Sequence, residues 1–431
     1  MTRQKTLKAL VRNRMARTGE TYTTARRHVL AQRTDLSPFP TAVLPGYTAT
    51  GGGTHPPSTL LRNLLAHRGV SFSEAMLAGL GGGIGFLYAV FEYKDFPYPT
   101  MTVVAQHHPE PFLPAALARL GFTTSVTTTS SAKVAARRLA ETLAGGAAAV
   151  CTLDRAALPW HGVVDPVFGD PHDVAVIGAD DDTVYLDDGC VRPNPLPRRD
   201  FDSAWARKHR LLTISDAGAF DLPTAIRDAV ATTMGHMTGP VLGHAYDANF
   251  GLSGMSRLVD ALGDRKGRKG WSNLFGRPDG FFWALRRLHD CLELEYTAPG
   301  ATRPLYADFL TEAALDDTYS EAAAMYRTSG VHWSALAAQA LAAAPELARY
   351  DDLAERKLTL MVTEGARASA EIQAVSAEMA ALPAEYAAGT PLSPAEQDAV
   401  FDALSERAAA VLAVERQAVA VLARRSANSL S

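Results

Sequence analysis

The sequence predicts an α+β domain over residues 45–215, followed by a mostly helical domain. Two observations carry this prediction. Residues 100–190 contain short Val- and Thr-rich segments with alternating or continuous apolar positions, which are typical of strands, and helical segments precede and separate them. From residue 216 onward, apolar residues recur three or four positions apart, which is typical of amphipathic helices. A chain of 431 residues is long enough for two or three domains.

The first 35 residues are predicted to form a basic helical arm. They contain nine Lys and Arg residues against Glu20 and Asp35, whereas the whole chain has a net charge of -4. Such an arm can meet nucleic acid, an acidic carrier protein or the acidic body of its own chain; a helical arm solvated on its own domain is the simplest interpretation. Because only Tyr22 interleaves with the basic residues, we expect no nucleic-acid partner. A linker rich in Pro and Gly follows over residues 36–53.

The α+β domain is assigned to residues 54–215. Helices are predicted after Ser58, where four leucines share one face, and over residues 71–80. The glycine-rich segment 79–85 follows a helix and lacks the third glycine of a dinucleotide fingerprint, so it is interpreted as a tight turn between helices. Further helices are predicted at residues 114–121 and 135–146, and strands at residues 100–106, 122–129, 147–153, 172–180 and 183–189.

Residues 216–431 are assigned to the helical domain. The last helix has the clearest signals, because Ser393 is a capping residue, Pro394 lies in the first turn and Glu396 completes a capping box. Alanine is so frequent in this half that close packing of helices is expected, and the alanine-rich tail can also pair with another copy of the chain as a homo-oligomer.

Composition narrows the cellular setting and the cofactors. Three widely spaced cysteines form neither a disulfide framework nor a zinc motif. No apolar run approaches the roughly 18 residues of a membrane span, and the N-terminus lacks a signal sequence, so a cytoplasmic protein without a membrane partner is expected. His55, His161, His172 and Asp187 contain no pair with metal-ligand spacing within one element, so neither a metal nor another cofactor is expected.

Three features of the first domain predict a degenerate site of the cysteine-hydrolase type. His55 precedes a helix start, where the helix dipole and free backbone N–H groups lower the pKa of a thiol and bind an oxyanion. His172 opens one strand and Asp187 ends the next, so Asp187 can orient the imidazole across a hairpin. The structural alternative is that His172 caps the hairpin and that Asp187 and Asp188 form a turn with Gly189.

Several motifs in the same order resemble the butirosin biosynthesis protein H family. Residues 52–56 and 61–65 correspond to the family pattern Gly-Gly-x-His-Cys followed by Leu-Arg-Asn-Leu-Leu, with Pro56 in place of the cysteine. Residues 79–88 match Gly-Leu-Gly-Gly-Gly-hydrophobic-Gly-Phe-x-Tyr almost completely. The remaining correspondences are Leu158-Pro159-Trp160, His172 and Asp187, and, in the second half, Asn249 to Gly254 and Arg303 to Leu310.

The resemblance implies a papain-like domain followed by a helical domain. It also implies acyl or aminoacyl transfer from a carrier-protein thioester onto an amine of a natural product, through a cysteine acyl-enzyme. The expected partners are a small-molecule or peptide natural-product intermediate and an acyl-carrier protein. The candidate catalytic residues are His172, Asp187 and His55; the candidate substrate or oxyanion residues are Gly81, Gly82, Gly83, Ser58, Asn63 and Tyr88.

Pro56 removes the covalent route, because proline has neither a nucleophilic side chain nor an N–H. Ser58 lies about 200° around the helix axis from position 56 and should point elsewhere, and Cys190 on a loop is more often incidental. Three interpretations follow. His172 and Asp187 act as a general base for acyl transfer while the glycine segment holds the oxyanion; or His55 and His172 carry out proton transfer, as in an epimerase, cyclase or lyase; or the fold is an inactive module that binds a peptide or carrier protein.

Overall fold

The computed structural model of the chain describes residues 14–15, 25, 29, 42–94, 98–164, 169–205 and 208–428, with only the backbone described at 216–217 and 425–428. The predicted basic arm, except Arg14, Met15, Ala25 and Val29, and the first part of the predicted linker lie outside these residues.

The described residues contain eight strands in two antiparallel sheets. The strands are β1 (Ile84–Phe91), β2 (Thr100–Gln106), β3 (Phe122–Thr127), β4 (Ala149–Asp154), β5 (Pro171–Ala179), β6 (Thr183–Asp187), β7 (Asn194–Pro197) and β8 (Leu211–Ala217). β1 pairs with β2, and the other six form a sheet in the order β3-β8-β4-β5-β6-β7.

Fourteen helices have both ends in the described residues. They are α1 (Pro56–His67), α2 (Glu74–Leu80), α3 (Phe112–Arg119), α4 (Ala132–Ala144), α5 (Arg198–Ala204), α6 (Leu222–Thr238), α7 (Gly251–Gly263), α8 (Trp271–Leu274), α9 (Pro278–Glu293), α10 (Arg303–Ala313), α11 (Asp317–Leu341), α12 (Pro345–Thr363), α13 (Ser369–Ala388) and α14 (Pro394–Asn428). Short 3₁₀ helices lie at Arg155–Ala157, Pro159–His161, Ala245–Asn249 and Gly365–Ala368.

The chain forms two compact units, each assembled from segments that are distant in sequence. Unit 1 contains residues 1–77, 117–220 and 353–380, and unit 2 contains residues 78–116, 221–352 and 381–431. The predicted limits at 54–215 and 216–431 therefore do not follow the compact units. The β1–β2 hairpin belongs with the C-terminal helices, because hairpin and helices share one buried core.

Unit 1 is built on the six-stranded sheet. The core face of β5 carries Val174 and Val176, and that of β6 carries Val184 and Leu186. This face also packs against Ile372, which comes from the segment 353–380 and is completely buried. Alternation along each strand places the core residues on one face, and the opposite face of β6 carries Asp187.

A buried ion pair connects chain segments within unit 2. Arg303 and Glu415 are both fully buried, and the Arg303 Nε atom lies 2.6 Å from Glu415 Oε1. Arg303 also donates from Nη1 to the carbonyl oxygens of Gly85 and Ala105 in the hairpin. The second partner of Glu415 is Ser329, whose hydroxyl donates over 2.6 Å. Hydrogen bonds that satisfy both buried charges thus connect the three segments of unit 2.

The α+β class and the mostly helical C-terminal part are confirmed. The five predicted strands correspond to β2 to β6, whereas β1, β7 and β8 escaped prediction. The glycine-rich segment leads from α2 into β1, so the predicted turn between two helices is wrong: it is a helix-to-strand turn. None of the helices in the described part of the chain combines the length and apolar character that a membrane span requires.

Candidate active site

Asp188 is the centre of a cluster of hydrogen bonds in unit 1. It follows β6 directly, and its carboxylate lies 2.5 Å from His172 Nε2 on β5 and 2.7 Å from His161 Nε2. The indole Nε1 of Trp160 donates to the same carboxylate over 2.7 Å. Trp160 and His161 come from the short 3₁₀ helix Pro159–His161. One carboxylate therefore holds two imidazoles and an indole.

The electrostatics of this cluster keep Asp188 ionised. Burial opposes the charge on its carboxyl, but His172 and His161, through charge and hydrogen bonds, lower its pKa below the usual range. Burial lowers the pKa of His161 more than Asp188 raises it, which favours the neutral imidazole. An ionised carboxylate only accepts hydrogen bonds, so each ring donates from Nε2. In a neutral ring, Nδ1 is then the basic nitrogen.

His172 pairs with Asp188, which corrects the predicted pairing with Asp187. Asp187 is fully buried and accepts hydrogen bonds from Tyr47 Oη at 2.7 Å and Asn63 Nδ2 at 2.8 Å. Burial raises the pKa of Asp187, although these hydrogen bonds lower it in part. The reason for the correction is strand alternation, since His172 and Asp188 share the core face of the sheet with Val174 and Leu186 while Asp187 faces the opposite way.

Asn63, a predicted substrate residue, is also buried and positions the turn. Its side-chain oxygen accepts from the Thr50 hydroxyl at 2.6 Å, while its Nδ2 donates to Asp187. A Cβ atom on Gly189 would lie 3.7 Å from Thr59 on α1. The turn that carries Asp188 therefore packs against α1, and the predicted helix start and the histidine cluster belong to the same unit.

The start of α1 offers few groups for chemistry. Pro56 and Pro57 occupy the first two helical positions, and neither has an N–H. The backbone N–H of His55 donates to Glu74 over 2.6 Å, and that of Thr59 donates to the His55 carbonyl oxygen. Pro56 is exposed at this end. Position 56 thus supplies neither a nucleophile nor a backbone donor for an oxyanion.

His55 and Ser58 contact each other rather than His172. The ring Nδ1 of His55 lies 2.6 Å from Ser58 Oγ, and both side chains are buried, with Ser58 completely so. Ser58 does point away from the exposed Pro56, as expected. A hydroxyl without exposed surface is not accessible to substrate, so this pair fixes the helix start in the described conformation.

Cys190 is also unsuited to act as a nucleophile. Its side chain is buried, and Asn194 Nδ2 donates to its Sγ at 3.3 Å. Burial raises the pKa of the Cys190 thiol, and the nearby carboxylates of Asp188 and Asp187 raise it further. The reactive thiolate is therefore disfavoured at this position.

The glycine segment packs inside unit 2, and the N–H groups of Gly82 and Gly83 already have partners there. The backbone N–H of Gly82 donates to Gly79 and that of Gly83 to Ala78, as in a helix C-terminus. A Cβ atom on Gly81 would lie 2.0 Å from the ring of Phe112. The predicted oxyanion role of this segment is corrected accordingly, because its glycines allow close packing and the N–H groups of Gly82 and Gly83 are already used.

Tyr88, the last predicted substrate residue, lies in β1 within unit 2. Its hydroxyl accepts a hydrogen bond from Trp271 Nε1 at 2.9 Å, and burial raises its pKa to about 12. Both side chains are buried. Tyr88 therefore packs in the core of unit 2.

Sequence reasoning missed Asp188, His161 and Trp160 as members of the site. Strand alternation could have indicated Asp188, since it lies two positions after Leu186 and so on the apolar face of β6. His161 and Trp160 lie in a single turn of 3₁₀ helix, which is too short for periodicity to predict where its side chains point. His161, His172 and Asp188 can in principle hold a metal ion. Their N···O distances of 2.5 and 2.7 Å are those of charge-assisted hydrogen bonds.

Comparison with known families supports the sequence motifs. Residues 55–189 match the family model described as butirosin biosynthesis protein H, N-terminal, and residues 201–368 match a domain of unknown function, DUF4872. None of the curated proteins compared with the chain matches it. The first match contains His55, His172 and Asp188, and the two matches follow each other in the order that the motifs indicated. The chain therefore contains a domain of the butirosin biosynthesis protein H N-terminal family followed by a DUF4872 domain, an order consistent with a butirosin biosynthesis protein H-like protein.

Proposed function

We propose that this protein transfers an acyl group from a thioester to an amine of a natural-product intermediate, with His172 as a general base and without an acyl-enzyme. The observation that carries the proposal is the pair of His172 and Asp188, in which an ionised, buried carboxylate fixes the imidazole through a 2.5 Å hydrogen bond. Family membership supports a role in natural-product biosynthesis.

The reaction balances without a covalent intermediate. The nitrogen of the acceptor amine attacks the thioester carbonyl carbon, and Nδ1 of His172 takes the proton that the nitrogen loses. The carbon–sulfur bond then breaks, and the sulfur leaves as a thiol after His172 returns the proton. Asp188 stabilises the imidazolium between these two steps, so base catalysis contributes roughly 10²- to 10⁴-fold.

The start of α1 supports a direct transfer. A cysteine at position 56 would attack the thioester itself, whereas Pro56 has no nucleophilic atom. Thioesters are activated toward amines, so a base-assisted attack suffices where an amide would need a stronger catalyst. A papain-like fold and an acyl-carrier protein as donor belong to this proposal as expectations from the family. A cytoplasmic location and self-association through the alanine-rich C-terminal helices belong to it as expectations from the sequence.

The proposal is tested with the full chain, an acyl thioester of N-acetylcysteamine and a set of amine acceptors. Thiol release and amide formation are followed together, and intact mass reports any covalent adduct. We expect turnover without an adduct, and a loss of about 100-fold or more in His172→Ala. The half-buried His67, which lies in the same unit, serves as the control, and His67→Ala should retain activity. An acyl adduct, or full activity in His172→Ala, contradicts the mechanism.

Proton transfer at a carbon atom is a second candidate. It is favoured by the two imidazoles that share Asp188, with ring centroids 4.9 Å apart, and by the lack of N–H groups at Pro56 and Pro57, which an acyl oxyanion would use. His161 replaces His55 as the partner of His172 in this reaction. In heavy water, proton transfer introduces deuterium at a substrate carbon, whereas acyl transfer does not. If the protein binds a natural-product intermediate without converting it, and if Asp188→Asn leaves the affinity unchanged, the fold is a binding module instead.

A further inference from the structure

A second cluster of ligand-type side chains lies in unit 2. It consists of His107 after β2, Glu110 before α3 and His236 in the last turn of α6, and is called the His107 cluster below. We propose that the His107 cluster binds a divalent transition-metal ion, with zinc as its representative. Two imidazoles and a carboxylate are the donor set that zinc and related ions take.

The distances in the His107 cluster fit a shared ion. Glu110 Oε2 lies 3.2 Å from His107 Nε2 and 3.2 Å from His236 Nε2. Two ligands bound at ~2.0–2.1 Å to one tetrahedral zinc lie about 3.3 Å apart. The three ligand atoms all lie within 4.8 Å of one another. At Asp188, by contrast, the N···O distances are 2.5 and 2.7 Å and an indole N–H competes for the carboxylate, as in a hydrogen-bonded cluster.

The glycine segment builds this site. A Cβ atom on Gly82 would lie 2.3 Å from His107 Nδ1, so only glycine lets the imidazole lie against the turn. The hydroxyl of Thr233 donates to the Gly82 carbonyl oxygen over 2.7 Å. His236 follows Thr233 by three positions in α6, so the two share one face of the helix. The turn and α6 thus hold both histidines.

The burial of the ligands leaves the site open on one side. The side chains of His107 and His236 are 3% and 11% exposed, whereas that of Glu110 is 51% exposed. Three protein ligands at a surface opening leave a fourth position for water or a substrate group, as in catalytic rather than structural zinc sites.

The two imidazoles must turn relative to each other to bind one ion, because the Nε2 lone pair of each lies in the plane of its own ring. Their rings stack with centroids 4.5 Å apart and an angle of 11° between the planes. Nδ1 of His236 is buried and has no hydrogen-bond partner among the described residues, so no second hydrogen bond fixes this ring. Metal binding therefore requires His236 to rotate about its side-chain bonds, so that its Nε2 lone pair points at the ion held by His107 and Glu110. Two stacked imidazolium ions would repel each other, so neutral, metal-binding rings suit this arrangement.

The test uses the full chain without an affinity tag, after removal of metal by a chelator. Isothermal titration with Zn²⁺ should give one equivalent. Glu110→Gln and His236→Ala should each weaken the affinity by at least about 10-fold, and bound Co²⁺ should give visible absorption that His236→Ala loses. Glu110→Gln is the safer variant, because the side chain is half exposed and its replacement leaves the core intact.

Two controls separate the alternatives. The exposed His244 is a matched histidine on the same unit, and His244→Ala should bind zinc like the parent chain. His172→Ala should also bind normally. If no equivalent of zinc binds, or if binding survives both Glu110→Gln and His236→Ala, the proposal is wrong. Loss of zinc in His172→Ala alone would move the ion to the Asp188 cluster and overturn it as well. None of these outcomes depends on the proposed acyl transfer.

Discussion

At the scale of residues, two adjacent carboxylates have opposite environments. Asp188 faces the core side of the sheet, where it accepts from two histidines and an indole. Asp187 faces the other side and accepts from Tyr47 and Asn63. Burial opposes ionisation of both carboxyls. It raises the pKa of Asp187, whose partners are uncharged, whereas charge and hydrogen bonds from His172 and His161 lower the pKa of Asp188. The two residues should therefore respond differently to the same substitution.

Asp188→Asn should reduce turnover by roughly 10²- to 10⁴-fold, because the imidazole of His172 loses the carboxylate that fixes its tautomer and stabilises its charge. Asp187→Asn should instead lower the free energy of unfolding by about 1–3 kcal/mol through impaired hydrogen bonds to Tyr47 and Asn63. Steady-state rates and urea unfolding of both variants measure the two effects. Equal rate losses in the two variants would contradict the assigned pairing.

The sequence predicted part of this site. His172 and the strand hairpin follow from periodicity and motif, whereas the expected replacement of a family cysteine by Pro56 stays a prediction. The choice between Asp187 and Asp188 needed the strand face, because a shift of one residue moves a side chain to the other side of a sheet. Strand periodicity does not apply to His161, which lies in a short 3₁₀ turn outside the strands. Its contact with the Asp188 carboxylate is visible only in the folded chain.

At the scale of elements, the glycine segment has a packing role. It ends α2 and starts β1, and Gly82 has a φ of 115° that side chains rarely adopt. Its neighbours His107 and Phe112 occupy the space that a Cβ atom would take at Gly82 and Gly81. The sequence of a glycine run does not reveal whether the run binds a ligand or packs against a side chain. Strand β1 was not predicted for a related reason, since it is a continuous apolar run without alternation that starts inside the glycine segment.

Gly82→Ala should destabilise unit 2 by more than about 3 kcal/mol, because backbone strain adds to overlap with His107. Gly243 offers a matched control in the same unit: its φ is 73°, and a Cβ atom there meets nothing within 4 Å. Gly243→Ala should therefore cost only about 1 kcal/mol of backbone strain. Calorimetric unfolding of the two variants gives the comparison, and equal costs would refute the packing argument.

At the scale of the whole molecule, neither compact unit is continuous in sequence. Unit 1 takes residues 353–380 from the C-terminal half, and unit 2 takes the hairpin segment 78–116 from the N-terminal half. Periodicity and composition report on neighbours in sequence, so they assigned the hairpin to the sheet domain that surrounds it in the chain. These distant segments contribute buried interactions. Ile372 is a completely buried core side chain in unit 1, and Arg303 forms a buried ion pair in unit 2.

The fragment 54–215, the predicted sheet domain, should accordingly not fold alone. It lacks Ile372 and the backbone N–H of Ala366, which donates to Asn194 in unit 1. It also lacks Arg303, which donates to the carbonyl oxygen of Ala105 in the hairpin. We expect aggregation on size exclusion and no cooperative transition in urea, whereas co-expression with residues 216–431 should restore a folded complex. A monomeric fragment that unfolds cooperatively would show that the sheet is stable without the distant segments, contrary to the assembly described for both units.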